Sequence, residues 1–118
     1  MTPLTETLGQ KQRRFAQAVA ALILQAARMG YEVALGDAYR DPRVFGPIGT
    51  RMGYGESRSA HKQRLAIDLN LFKDGVYLPD TEAHRQLGEW WEHSTPDAVW
   101  GGRFQDGNHS SIRHDGIS

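Results

Sequence analysis

Leu65, Ile67, Leu69 and Leu71 alternate with Ala66, Asp68 and Asn70, and no other stretch restricts the fold as strongly. A period of two specifies a β-strand with one apolar face, so a second layer must pack on that side. Asp68 then lies on the opposite face. A carboxylate inside an otherwise strongly apolar strand calls for a partner, because burying an unpaired charge is costly.

The packing layer is found upstream. Phe15, Val19, Leu22, Ile23, Ala26 and Met29 recur at helical spacing with polar positions such as Gln17 and Gln25 between them, which predicts an amphipathic core helix ending at Gly30. Lys11, Gln12, Arg13 and Arg14 before the Phe15 to Ala27 stretch give it the outline of a signal peptide, but its glutamines and its period favour the core helix. It is also too short to span a bilayer.

Tyr31 to Tyr39 alternates as a second strand, with Tyr31, Val33 and Leu35 on one side and Ala34, Gly36, Ala38 and Arg40 on the other. A face of small residues ending in an arginine leaves room above the sheet for a ligand. Asp41 and Pro42 break the strand. The polar loop from Gly46 to Ser59, with four glycines and a proline, has the length of a functional or mobile segment.

Beyond Leu71, Lys73, Asp74 and Gly75 predict a turn into a short returning strand, Val76 to Leu78. Asp80 or Thr81 can cap a second helix whose apolar stripe is Ala83, Leu87, Trp90 and Trp91, ending near His93. Val99 to Phe104, a turn at Asp106, Gly107 and Asn108, and a final short strand complete the pattern. The expectation is an α+β domain, with a small antiparallel sheet, helices packed on one face and a metal site on the other. A chain of 118 residues with 39% apolar content supports one core, so residues 1–118 read as a single domain. Fourteen basic residues balance fourteen acidic ones, which removes any overall field for nucleic acid or an anionic membrane. Cysteine is absent, so a metal site must be built from His, Asp and Glu.

Such a set is present. His61, Asp68 and His109 are two imidazoles and a carboxylate, the composition of a catalytic zinc site with one position left open for water. Asp106, three positions before His109, supplies a carboxylate of the kind an activated water needs as its base. His61 and Asp68 are seven positions apart and would point to opposite faces of one continuous strand. The chain must therefore turn around Lys62 to Arg64, giving a sheet-borne carboxylate met by two loop histidines, with Arg40 on the same open face. Each residue also has a plainer reading. Asp106 beside Gly107 and Asn108 suits a turn, and Arg40 suits a strand-end surface charge. His84, His93 and His114 suit surface or hydrogen-bonded positions, and Trp90, Trp91 and Trp100 suit packing better than carbohydrate binding.

Taken together, Tyr39 and Arg40, the Ser59-Ala60-His61 run, Asp68, and WGGRFQDGNH from Trp100 to His109 resemble the zinc peptidases of the D-alanyl-D-alanine metallopeptidase superfamily. The likeness runs from the first helix to about Ser111, and the WGG run with an aspartate before the last histidine is most similar to the L-alanyl-D-glutamate endopeptidases of phage endolysins. The resemblance implies a hedgehog/DD-peptidase fold, with zinc on His61, Asp68 and His109 and Asp106 as general base. It implies that Arg40 orients substrate and stabilises negative charge, and that Ser59 contacts substrate. Ser110 departs from the family, which often has an aromatic there, and the loop from Gly46 to Arg58 is distinctive.

What the resemblance implies of function is hydrolysis of a peptidoglycan stem peptide. The chain length leads us to expect a single catalytic domain without a wall-binding module, acting as a monomer, and the charge balance and helix length lead us to expect no nucleic-acid partner and no membrane insertion. A phage lysin of this kind is made in the host cytoplasm without a signal peptide and acts on the wall in the periplasm. A bacterial wall-remodelling enzyme and an enzyme of a phage particle are equally compatible with the residues. The competing readings are a D-alanyl-D-alanine carboxypeptidase or dipeptidase, and a non-catalytic zinc-binding structural module of a phage particle. Asp106 weighs against the last, since a purely structural zinc has no use for a spare carboxylate.

Overall fold

The computed structural model describes residues 6–39, 41, 43, 47–49 and 59–118. Helix α1 spans Leu8–Arg28 and opens on a capping box, in which Thr7 Oγ1 accepts from the Gln10 N–H (3.1 Å) and Gln10 Oε1 accepts from the Thr7 N–H (2.8 Å). The cap starts the helix well before the apolar stripe begins at Phe15. At the other end Met29 caps the helix and Gly30, at φ 88°, turns the chain out of it. Phe15, Leu22 and Ala26 are buried, and Val19, Ile23 and Met29 pack beside them.

Five antiparallel strands form the sheet: β1 (Glu32–Leu35), β2 (Ala66–Lys73), β3 (Val76–Tyr77), β4 (Ala98–Trp100) and β5 (His109–Ile112). Their order is β1-β2-β5-β4, with β3 also pairing with β2. Helix α2 covers Arg85–Ser94. The chain is thus a small α+β protein, with two α-helices and a small antiparallel sheet among the described residues. As the alternation requires, Leu65, Ile67, Leu69 and Leu71 join Phe15, Leu22 and Ala26 of α1 and Leu87 and Trp91 of α2 in one core. Trp91 stands edge-on to Phe15 with ring centroids 5.9 Å apart, and its N–H donates to the carbonyls of Val99 (3.1 Å) and Ser111 (3.0 Å). The strand expected to return at Val76 does so through Asp74 and Gly75, both left-handed at φ 51° and 78°, the pairing a two-residue hairpin demands.

The structure differs from the expected elements in three places. The first strand stops at Leu35 instead of running to Tyr39, because Gly36 donates to the Asp68 carbonyl (2.7 Å) while the Asp68 N–H goes to the carbonyl of Asp37 (2.8 Å). Two residues face one, a bulge that ends the simple alternation. Leu35, expected on the apolar side, is 68% exposed. The second helix is preceded by a 3-10 turn, Thr81–His84, and Asp80 flanks that turn with no capping bond from its side chain. His109 was expected on a loop, yet it is the first residue of β5. Arg40 and most of the Gly46 to Ser59 loop lie outside the described residues. Among the described residues no helix is long and apolar enough to cross a membrane.

Candidate metal centre

Asp68 reaches the site from the middle of β2, where the apolar alternation leaves it on the face away from the core. His109 arrives from β5, as the direct register partner of Asp68. His61 comes from a 3-10 turn, Ala60–Gln63, closed by Arg64 in the left-handed conformation at φ 59°. That turn falls where the seven-residue spacing demanded one. Ser59 is buried and precedes the turn, its Oγ accepting the His61 N–H at 3.1 Å. The structure therefore places Ser59 as the residue that sets the start of the His61 turn.

The three side chains converge. One ligand atom from each of His61, Asp68 and His109 lies within 4.8 Å of the other two. Asp68 Oδ1 is 3.3 Å from His61 Nε2 and 3.6 Å from His109 Nδ1, and the two imidazoles meet edge to face with centroids 5.1 Å apart. Four ligand atoms around a zinc ion at ordinary bond lengths stand roughly 3.3 Å from each other. The spacing already suits an ion.

Two further observations support that fit. Asp68 Oδ1 is buried and accepts no hydrogen bond, a costly condition for a carboxylate oxygen unless a cation occupies the space it faces. The His61 ring nitrogen Nδ1 lies 2.9 Å from the Ala38 carbonyl, which only accepts, so Nδ1 carries the proton and Nε2 keeps its lone pair toward Asp68. A carbonyl behind a ligating histidine is the usual means of holding tautomer and ring orientation. An anionic carboxylate with two imidazoles suits borderline divalent ions such as zinc or iron(II).

Asp106 stands beside the three. Its Oδ2 is 3.9 Å from His109 Nδ1, and its side chain is 56% exposed, against 12% for His109. The turn that carries it is held from behind by residues that sequence spacing did not single out for this purpose. The Trp100 indole N–H donates to the Gly107 carbonyl at 2.7 Å, and the Asp106 backbone N–H donates to the Gly101 carbonyl at 3.0 Å. The indole of Trp100 lies where a Cβ on Gly88 or Gly102 would stand, and a Cβ on Gly101 would run into the Asp106 carbonyl and lie 2.8 Å from His109 Cβ. Each glycine of the Trp-Gly-Gly run is thus required by close approach. The signal was present in the sequence as WGG, but only packing shows what the glycines make room for.

The other histidines stay outside the group. The buried ring of His84 donates from Nε2 to the Leu78 carbonyl (3.1 Å), exposed His93 bonds the Glu89 carbonyl through Nδ1 (2.7 Å), and His114 lies 3.4 Å from Asp115. No protein-family model and no curated protein matches the chain.

Proposed function

We propose that the protein is a zinc-dependent peptidase of the bacterial wall, with the hedgehog/DD-peptidase fold, cutting a peptide bond of the peptidoglycan stem as an L-alanyl-D-glutamate endopeptidase. The observation that carries this reading is the convergence of His61, Asp68 and His109 within 4.8 Å, with Asp106 next to the group and open to solvent. A purely structural site would need no such neighbour.

In this reading His61 Nε2, Asp68 Oδ1 and His109 Nδ1 hold the ion. Zinc bound there would supply Lewis acidity and bring the pKa of a water molecule toward neutrality. Asp106 Oδ2 takes the proton from the water as it attacks the scissile carbonyl carbon, then returns it to the leaving amine. Ala38 keeps His61 in the tautomer that can ligate, and Ser59 fixes the turn on which His61 sits. Arg40 retains its proposed part as a planar donor to substrate carboxylate or developing oxyanion, on chemical grounds alone.

Mass spectrometry of fragments released from purified peptidoglycan tests the assignment. New termini at L-alanine and D-glutamate are expected. Release of terminal D-alanine instead would mark a carboxypeptidase.

A further inference from the structure

We propose that Asn70 forms a substrate-binding subsite, in which its side-chain N–H group donates to a backbone carbonyl of an extended peptide lying over the β1–β2 face beside the metal centre. The nature of the ligand rests on the peptidase reading given above. The placement rests on the geometry of β1 and β2.

Asn70 follows Asp68 by two residues on β2, so both side chains share one face. Its amide is oriented by a neighbour, because Asn108 Nδ2 donates to Asn70 Oδ1 at 3.1 Å. With the oxygen engaged there, Nδ2 is directed toward β1, and it is the Asn70 atom nearest the place of a Cβ on Gly36, at 3.5 Å. Among the described residues, the bond from Asn108 is the only hydrogen bond of that side chain.

The surface in front of the amide is low. Ala34 is the register partner of Asn70 and Gly36 lies two positions further on, so no bulky side chain of either stands above the sheet there. Asn70 itself is half-buried, which makes its donor more valuable to a ligand than one fully in water.

Spacing bears on what the donor meets. Asp68 and Asn70 are separated by two residues of strand, about 7 Å, a distance an extended peptide covers between its scissile carbonyl and a further carbonyl. A peptide aligned with β2 that places its scissile carbonyl at the metal ligands brings a second carbonyl over Asn70. An uncharged N–H donor matches a neutral carbonyl.

Calorimetric binding to zinc-loaded protein carrying Asp106→Asn, which blocks turnover, tests this with two probes: a soluble stem tetrapeptide, and a dipeptide containing only the scissile bond. Asn70→Ala and Asn70→Asp are added separately. The aspartate variant keeps an acceptor for Asn108 while replacing the donor with a charged acceptor, and the alanine variant removes the donor without adding charge. Each should weaken tetrapeptide binding about tenfold at unchanged zinc content and leave dipeptide binding as it was. Equal tetrapeptide binding in all three proteins, an equal loss on the dipeptide, or no tetrapeptide binding by the parent overturns the subsite. Hydrolysis by the protein with Asp106 intact is measured separately, so binding that depends on Asn70 without turnover sinks the peptidase reading alone.

Discussion

Asp68 and His109 face each other across an antiparallel strand pair, as Cα register partners with Oδ1 of one 3.6 Å from Nδ1 of the other. Sheet hydrogen bonding therefore fixes two members of the convergent group relative to each other before any ligand arrives. Only His61 depends on a turn, and that turn is tied at Ser59 and Ala38.

Replacing Asp68 with Asn keeps the size of the side chain and removes its charge. Zinc affinity, measured by competition with a chromophoric chelator, should fall by more than the roughly 10- to 100-fold typical of losing an outer partner of a metal ligand. An unchanged affinity would place the ion elsewhere.

Protons and metal compete for both imidazoles, so zinc should be held less tightly as the pH is lowered. Since an ion that binds only the folded state adds stability, the zinc-dependent rise in Tm should be largest at the alkaline end and vanish at the acid end. Paired thermal melts with and without zinc measure this directly.

Gly101→Ala introduces a Cβ that collides with the Asp106 carbonyl and crowds His109. Overpacking of this kind costs about 1–3 kcal/mol, and here it also displaces the turn carrying both residues. Trp100→Phe should destabilise by a similar amount, about 1–3 kcal/mol, because the Gly107 carbonyl loses its indole donor. Urea unfolding of the two variants tests these costs, and zinc titration should show weaker binding for Gly101→Ala.

Arg14 on α1 pairs with two acids, through Nε with Glu6 just before the helix (2.8 Å) and through Nη2 with remote Asp97 (2.6 Å). Hydrogen bonding to Arg14 lowers the Glu6 carboxyl; burial opposes the shift at Asp97, yet Arg14 and Thr95 bring that group down as well. Carboxyl pKa values depressed in the folded state add stability that is present above the ordinary carboxylate range and lost as the pH falls through the lowered values. Arg14→Leu should cost about 1–2 kcal/mol at neutral pH and flatten the acid limb of the stability profile. Urea midpoints across a pH series would show it.

Sequence carried the alternation of β2, the stripe of α1, the hairpin at Asp74 and Gly75, and the need for a turn between His61 and Asp68. Those features depend on local period and turn chemistry, which the chain states directly. The bulge at Gly36 and Asp37 was not legible, because it is defined by which residue of another strand accepts and donates the bonds. His109 was misplaced for a related reason: its strand is short, and pairing with β2 and β4, rather than any alternation of its own, makes it a strand. The candidate ligand types could be chosen from sequence, whereas the Ala38 carbonyl behind His61 and the indole behind Gly107 are contacts over distance and could not. Arg40 lies outside the described residues, so its proposed role rests on chemistry alone.

The central claim is that the convergent site hydrolyses wall peptides with Asp106 moving the proton. Purified peptidoglycan should be digested with zinc-loaded wild type and with Asp106→Ala, zinc content being checked in both and newly exposed amino groups counted. The expected result is equal zinc in the two proteins and amino-group release by the wild type alone. No release by the wild type, or equal release by both, would contradict it.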